Sequence, residues 1–178
     1  MKYQIVFTLA LLMSAITSFA KSEDPASSWL EHLIEPYLQV QKHLAADDLS
    51  GAQAEAKILL EALASQTHTG SSHQPGAVVS ESAMKIQDSS DLQSARVAFR
   101  ELSGELLEWV EQDGSIGAKT LYVVRCPMAF GNEGASWLQD GKTVSNPYYG
   151  ASMLRCGSIE KEIAAQSGEA ATDAHHHH

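Results

Sequence analysis

The chain has 178 residues, 44% of them hydrophobic and 19% charged, with a formal net charge of −10. That length builds one packed domain. The acidity excludes nucleic acid and anionic membrane surfaces as the main partner.

The first 20 residues read as a secretory signal peptide. Lys2 supplies the positive start, "IVFTLALLM" is an apolar core too short to cross a bilayer, and "SFA" offers a small-residue cleavage site after Ala20. No later segment is apolar for long enough to span, so the expected product is periplasmic or secreted, with no membrane insertion after cleavage. The expected domain runs over residues 21–166, and residues 167–178 form a tail ending in His175 to His178. That run suits Cu(II), Ni(II) or Zn(II), but a truncated purification tag would look the same, and nothing rests on it.

In "SSWLEHLIEPYLQVQKHLAADD" the residues Leu30, Leu33, Ile34, Tyr37, Leu38 and Leu44 recur at steps of three and four, which predicts an amphipathic helix. Pro36 predicts a kink or a fresh start within it. Asp47 or Asp48 then caps a second helix with Ala52, Ala56, Leu59, Leu60 and Leu63 on its apolar face. "QTHTGSSHQPG" is a polar loop holding His68 and His73, and "AVVSESAMKIQ" a shorter third helix. The fourth carries the strongest pattern, a seam of Leu92, Ala95, Phe99, Leu102, Leu106 and Trp109, stopped by Asp113-Gly114. Four amphipathic helices with short connections predict an all-α fold, an antiparallel four-helix bundle.

From Lys119 the chain becomes extended and β-branched in "KTLYVVRCPM", then rich in Gly, Pro, Asn and aromatics. No long helical or strand period survives, so an irregular C-terminal cap is expected. It carries the only two cysteines, each with a methionine nearby: Cys126 with Met128, and Met153 with Cys156. Thiolate and thioether donors together select Cu(I), a soft closed-shell ion that accepts low coordination numbers. Zinc would call for histidine or further cysteine in place of the methionines. The alternative is a structural disulfide Cys126–Cys156, the usual use of an even cysteine count in an exported protein. Closing that loop is worth roughly 3–4 kcal/mol on the chain-entropy account.

No Gly-rich phosphate loop, GxSxG elbow, HExxH or Cys-x-x-Cys motif occurs, and Cys126 has no histidine in its own segment to act as base. A non-enzymatic role is therefore expected.

The stretch "LYVVRCPMAFGNEGASWLQDGKTVSNPYYGASMLRCG" closely resembles the signature of a bacterial periplasmic domain family of unknown function. Members stand alone or at the C-terminal end of copper/silver efflux membrane-fusion (adaptor) proteins. "YLQVQKHLAADDLSGAQAEAK" and "ARVAFRELSGEL" are similar to that family's helices. The resemblance implies a helical-bundle module in copper handling or heavy-metal resistance, with an efflux component as partner and Cys126, Met128, Met153 and Cys156 as metal ligands. The chain departs from the family pattern at Arg125 and at Met84, where histidine is common; sulfur is left as the core of any site. "SNPYYG" is then expected to act as scaffold. Asn146 would make a turn on its own backbone, Tyr148 or Tyr149 would pack on the bundle, and Gly150 would allow the reversal toward Met153 and Cys156. Trp137 would anchor the intervening loop.

Overall fold

A computed structural model describes residues 25–66, 76–113 and 119–165. The expected signal peptide and tail, Gly114, His68, His73 and the terminal histidines lie outside the described residues. Four helices come first: α1 Pro25–Ala45, α2 Leu49–Gln66, α3 Ala77–Gln87 and α4 Leu92–Asp113. They pack in chain order, and α4 returns to α1.

Burial follows the sequence pattern closely. In α1 the stripe Leu30, Leu33, Ile34, Tyr37, Leu38 and Leu44 lies in the core, and in α2 Ala52, Ala56, Leu59 and Leu63 do. The α4 seam buries Ala95, Phe99, Leu102 and Leu106, with Leu92 and Trp109 partly buried toward its ends. The first helix continues through Pro36 as one element, so no new helix starts there. The starts of α2 and α4 are fixed by short acidic side chains. The Gly51 N–H donates to Asp48 Oδ1 at 3.0 Å and the Ser94 N–H to Asp91 Oδ1 at 2.8 Å, each satisfying a donor that a helix end leaves open.

The all-α expectation is wrong for the C-terminal part. Strand β1 (Leu121–Cys126) pairs antiparallel with β2 (Ala135–Gln139) on one side and β3 (Ser158–Ile163) on the other, in the order β2-β1-β3. The reason is burial. Leu121, Tyr122, Val123, Val124 and Cys126 are all buried, as are four of the five residues of β2. Strands covered on both faces lose the polar alternation by which a strand is recognised. Strand β3 differs, being exposed except for Ile163.

The sheet is fastened to the bundle by buried polar and aromatic contacts. Tyr37 Oη of α1 accepts the Leu138 N–H of β2 at 3.0 Å and lies 2.9 Å from Ser103 Oγ of α4. Between β2 and β3 the loop docks through Arg96 of α4. Its guanidinium donates to the Pro147 carbonyl at 2.8 Å, to the Leu44 carbonyl at 3.0 Å and to the Asp47 carboxylate.

Asp47, in the turn between α1 and α2, also accepts the Ala151 N–H at 2.9 Å. That bond first, and Arg96 second, hold its carboxyl below the ordinary 3.8. A depressed folded-state pKa gives stability that is present above the unfolded value and is lost as pH falls through the folded one. Asp47→Asn keeps an acceptor and removes the charge. Its stability deficit, under about 1 kcal/mol for so exposed a pair, is expected at neutral pH and should vanish in melts taken well below pH 3.8.

Candidate metal centre

The two cysteines meet because of strand pairing. Arg125 of β1 stands opposite Ser158 of β3, so Cys126, one residue on, faces the stretch just before β3, where Cys156 sits. Both are free thiols; Cys126 is buried and Cys156 partly buried. The Cys156 thiol hydrogen-bonds Cys126, and this bond, with burial and the neighbouring Cys126 charge, pushes its pKa above the ordinary value of 9.0. The Met128 backbone N–H, which also reaches the Cys156 sulfur, works against that shift. A metal binding here must displace the thiol protons, so higher pH favours it.

After β1 the chain turns through Pro127 and Met128 into α5 (Ala129–Asn132), a single short turn. Phe130, Gly131 and Asn132 all have left-handed φ values of 52°, 70° and 73°. Such a conformation costs a bulky side chain about 1–3 kcal/mol. Phe130 is held in it by an edge-on contact with Tyr148, centroids 5.2 Å apart, and by the Arg100 guanidinium 4.7 Å from its ring centre. The Tyr149 hydroxyl donates to the Met128 carbonyl at 2.6 Å, tying the first sulfur pair to the loop that carries the second.

That loop is organised by Asn146, fully buried. Its Oδ1 accepts the N–H groups of Tyr148 at 2.8 Å and Tyr149 at 3.2 Å, the turn expected of an Asn before Pro147. Its Nδ2 donates to the Cys156 carbonyl at 2.7 Å, a contact with no sequence signal. Gly150 then takes φ +56°, a left-handed value that favours glycine, and a Cβ there would crowd the Asp47 carboxylate and the Arg96 guanidinium. A short 3₁₀ turn (Gly150–Ser152) leads to Met153, whose carbonyl accepts the Cys156 N–H at 2.9 Å. Trp137 is fully buried and packs edge-on against Tyr148 at 5.7 Å.

Of the four sulfur residues, the structure joins Cys126 and Cys156 directly through their side chains and ties both methionines to Cys156 through backbone groups. The Met128 side chain is 47% exposed and Met153 is partly buried. No three His, Cys, Asp or Glu side chains gather at a metal-binding distance among the described residues. Cys126 and Cys156 therefore have no third donor of these types beside them among the described residues; Met128 and Met153 are the other sulfur residues on the same two segments. Arg125 donates to the Glu133 carbonyl at 3.2 Å and holds the turn. Met84 lies on the exposed face of α3.

Residues 33–116 match the model of a domain family described as a protein of unknown function, DUF3347. The matched stretch contains α2, α3, α4 and most of α1 and ends before β1, so it includes neither cysteine. No curated protein and no solved structure matches the chain. No described helix is long and apolar enough to cross a membrane.

Proposed function

We propose that this is a periplasmic copper-binding protein that takes Cu(I) on Cys126 and Cys156, assisted by Met128 and Met153, for sequestration or for handover to a heavy-metal efflux component. The observation that carries the reading is the hydrogen-bonded thiol pair at the end of β1, one sulfur buried and the other partly open. Two adjoining thiols supply two soft anionic donors. The resemblance of the CPM and MLRCG segments to modules of copper/silver efflux adaptors, together with the leader-like first 20 residues, supports the context.

The same closeness favours a second reading, a non-metal interaction module of a transport system locked by a Cys126–Cys156 disulfide. Thiol counting separates the two. Two free thiols that copper protects from alkylation are expected, with Cu(I) captured from a colorimetric chelator by the reduced protein. A quantitative disulfide in copper-replete cells, or capture no better than by a variant with both cysteines replaced by serine, would sink the copper reading.

The methionines give a finer check. Met128→Ala removes a side chain that is about half exposed, so stability without copper should change by less than about 1 kcal/mol. Loss of a thioether ligand should nevertheless weaken Cu(I) capture by about tenfold or more, measured by the same competition. Unchanged capture in both Met128→Ala and Met153→Ala would limit the site to the two thiols.

A further inference from the structure

We infer that the outer face of α3 and α4 is a docking groove for a cationic amphipathic helix of a partner protein. Along α3 the exposed stripe runs Val78, Glu81, Met84 and Asp88, and along α4 it runs Gln93, Val97 and Glu101, both at helical spacing. Three large apolar side chains stand open on this face: Val78 at 44%, Met84 at 47% and Val97 at 46% exposure. Met84, Val97 and the partly exposed stretch between them line an open groove of about 960 Å³. Two adjacent helices with an unpartnered apolar furrow are the seat into which a third helix lays its apolar face, and methionine adapts to such contacts.

Charge selects the occupant. Glu81, Asp88, Asp91 and Glu101 surround the groove against a single Lys85. That lysine already bridges Glu81 at 3.1 Å and Glu101 at 3.2 Å. An acidic rim around an apolar floor attracts lysine and arginine flanking an apolar stripe. It repels a second copy of this chain, whose net charge is −10, and an anionic bilayer.

The groove also points toward the thiol pair. Gln93 and Val97 line both it and a second hollow of about 380 Å³, whose other walls include Phe130, Gly131 and Tyr149. Tyr149 holds the Met128 carbonyl. A helix seated between α3 and α4 thus ends beside the turn that carries Met128. Only this last step, a partner that gives or receives Cu(I), rests on the copper reading; the docking itself does not.

The test is titration of the isotope-labelled full chain, without copper, with a synthetic leucine/lysine peptide of about 15 residues, somewhat longer than α3. Saturable amide shifts confined to α3, α4 and the Phe130 turn are expected, with affinity falling as salt is raised. Val97→Asn with Met84→Lys should weaken binding about tenfold at unchanged circular dichroism, and Val97→Asn alone should weaken it without altering charge. The Cys126→Ser, Cys156→Ser variant should bind as well as the parent, which separates this result from the fate of the copper reading. The inference is overturned if the shifts fall elsewhere or the groove variants bind unchanged. It is equally overturned if a glutamate-for-lysine peptide binds as tightly, if the groove mediates self-association in sedimentation, or if it prefers lipid vesicles.

Discussion

Phe99→Ala should cost about 3–5 kcal/mol in denaturant melts, the range for emptying an aromatic site in a packed core. Phe99 is fully buried in α4. Its ring stacks on Tyr37 of α1, centroids 5.2 Å apart, and meets Tyr148 of the C-terminal loop at 5.9 Å. It is therefore the point where helix, helix and sheet-side loop share one contact. The neighbours cannot collapse to fill the gap, because Tyr37 is fixed by Ser103 and the Leu138 N–H, and Tyr148 by the Ser136 carbonyl. Val97→Ala, two residues away on the exposed face, supplies the control and should fall within about 0.5 kcal/mol of the parent. A Phe99→Ala loss below about 1 kcal/mol would mean that the seam of α4 does not carry the core.

The helices were readable because each presents one apolar stripe at the helical period, and α2 and α4 also open on an acidic cap, Asp48 and Asp91. The sheet was not. β1 is covered on both faces, so "LYVVRC" reads as apolar and extended without declaring partners. Its pairing with β2 and β3 depends on turns around Phe130, Asn132 and Gly157 that no local period announces. The third strand, "SIEKEI", escapes notice for the opposite reason: five of its six residues are exposed, so no buried face imposes a period on it.

At the site, the approach of Cys126 to Cys156 follows from the matched motifs, and the turn of Asn146 and the reversal at Gly150 follow from residue type. The clamp formed by Arg96, Asp47 and Ala151 does not. Its members lie 49 and 104 residues apart in sequence. Asp47 had an adequate local explanation as a helix cap, which in fact falls to Asp48. Long-range polar contacts of this kind leave no periodic trace in a single sequence, since their geometry exists only after the sheet has formed.

Asn146→Ala tests whether the scaffold and the thiol pair are one unit. The substitution strands the buried N–H of Tyr148, the partly buried N–H of Tyr149 and the partly buried carbonyl of Cys156, three partners now satisfied by one side chain. Each orphaned buried group costs about 1–3 kcal/mol. Water entering the gap reduces the total, and a loss of about 3–6 kcal/mol is expected. Asn146→Asp divides the effect further. It keeps the acceptor for both tyrosine N–H groups but sets a carboxylate against the Cys156 carbonyl. Burial and that repulsion raise the new carboxyl's pKa in the folded state. A raised folded-state pKa makes the group's penalty largest at high pH and smaller as pH falls through it, because the protonated acid can again donate to Cys156. The Asp variant should thus recover stability toward acid in melts where the Ala variant does not. On the copper reading, both variants should also lose Cu(I) affinity at temperatures where they remain folded, since Cys156 is no longer held against Cys126. Full Cu(I) affinity in a folded Asn146→Ala protein would show that the thiol pair sets its own geometry. Unchanged stability would show that the Cys156 carbonyl finds another donor.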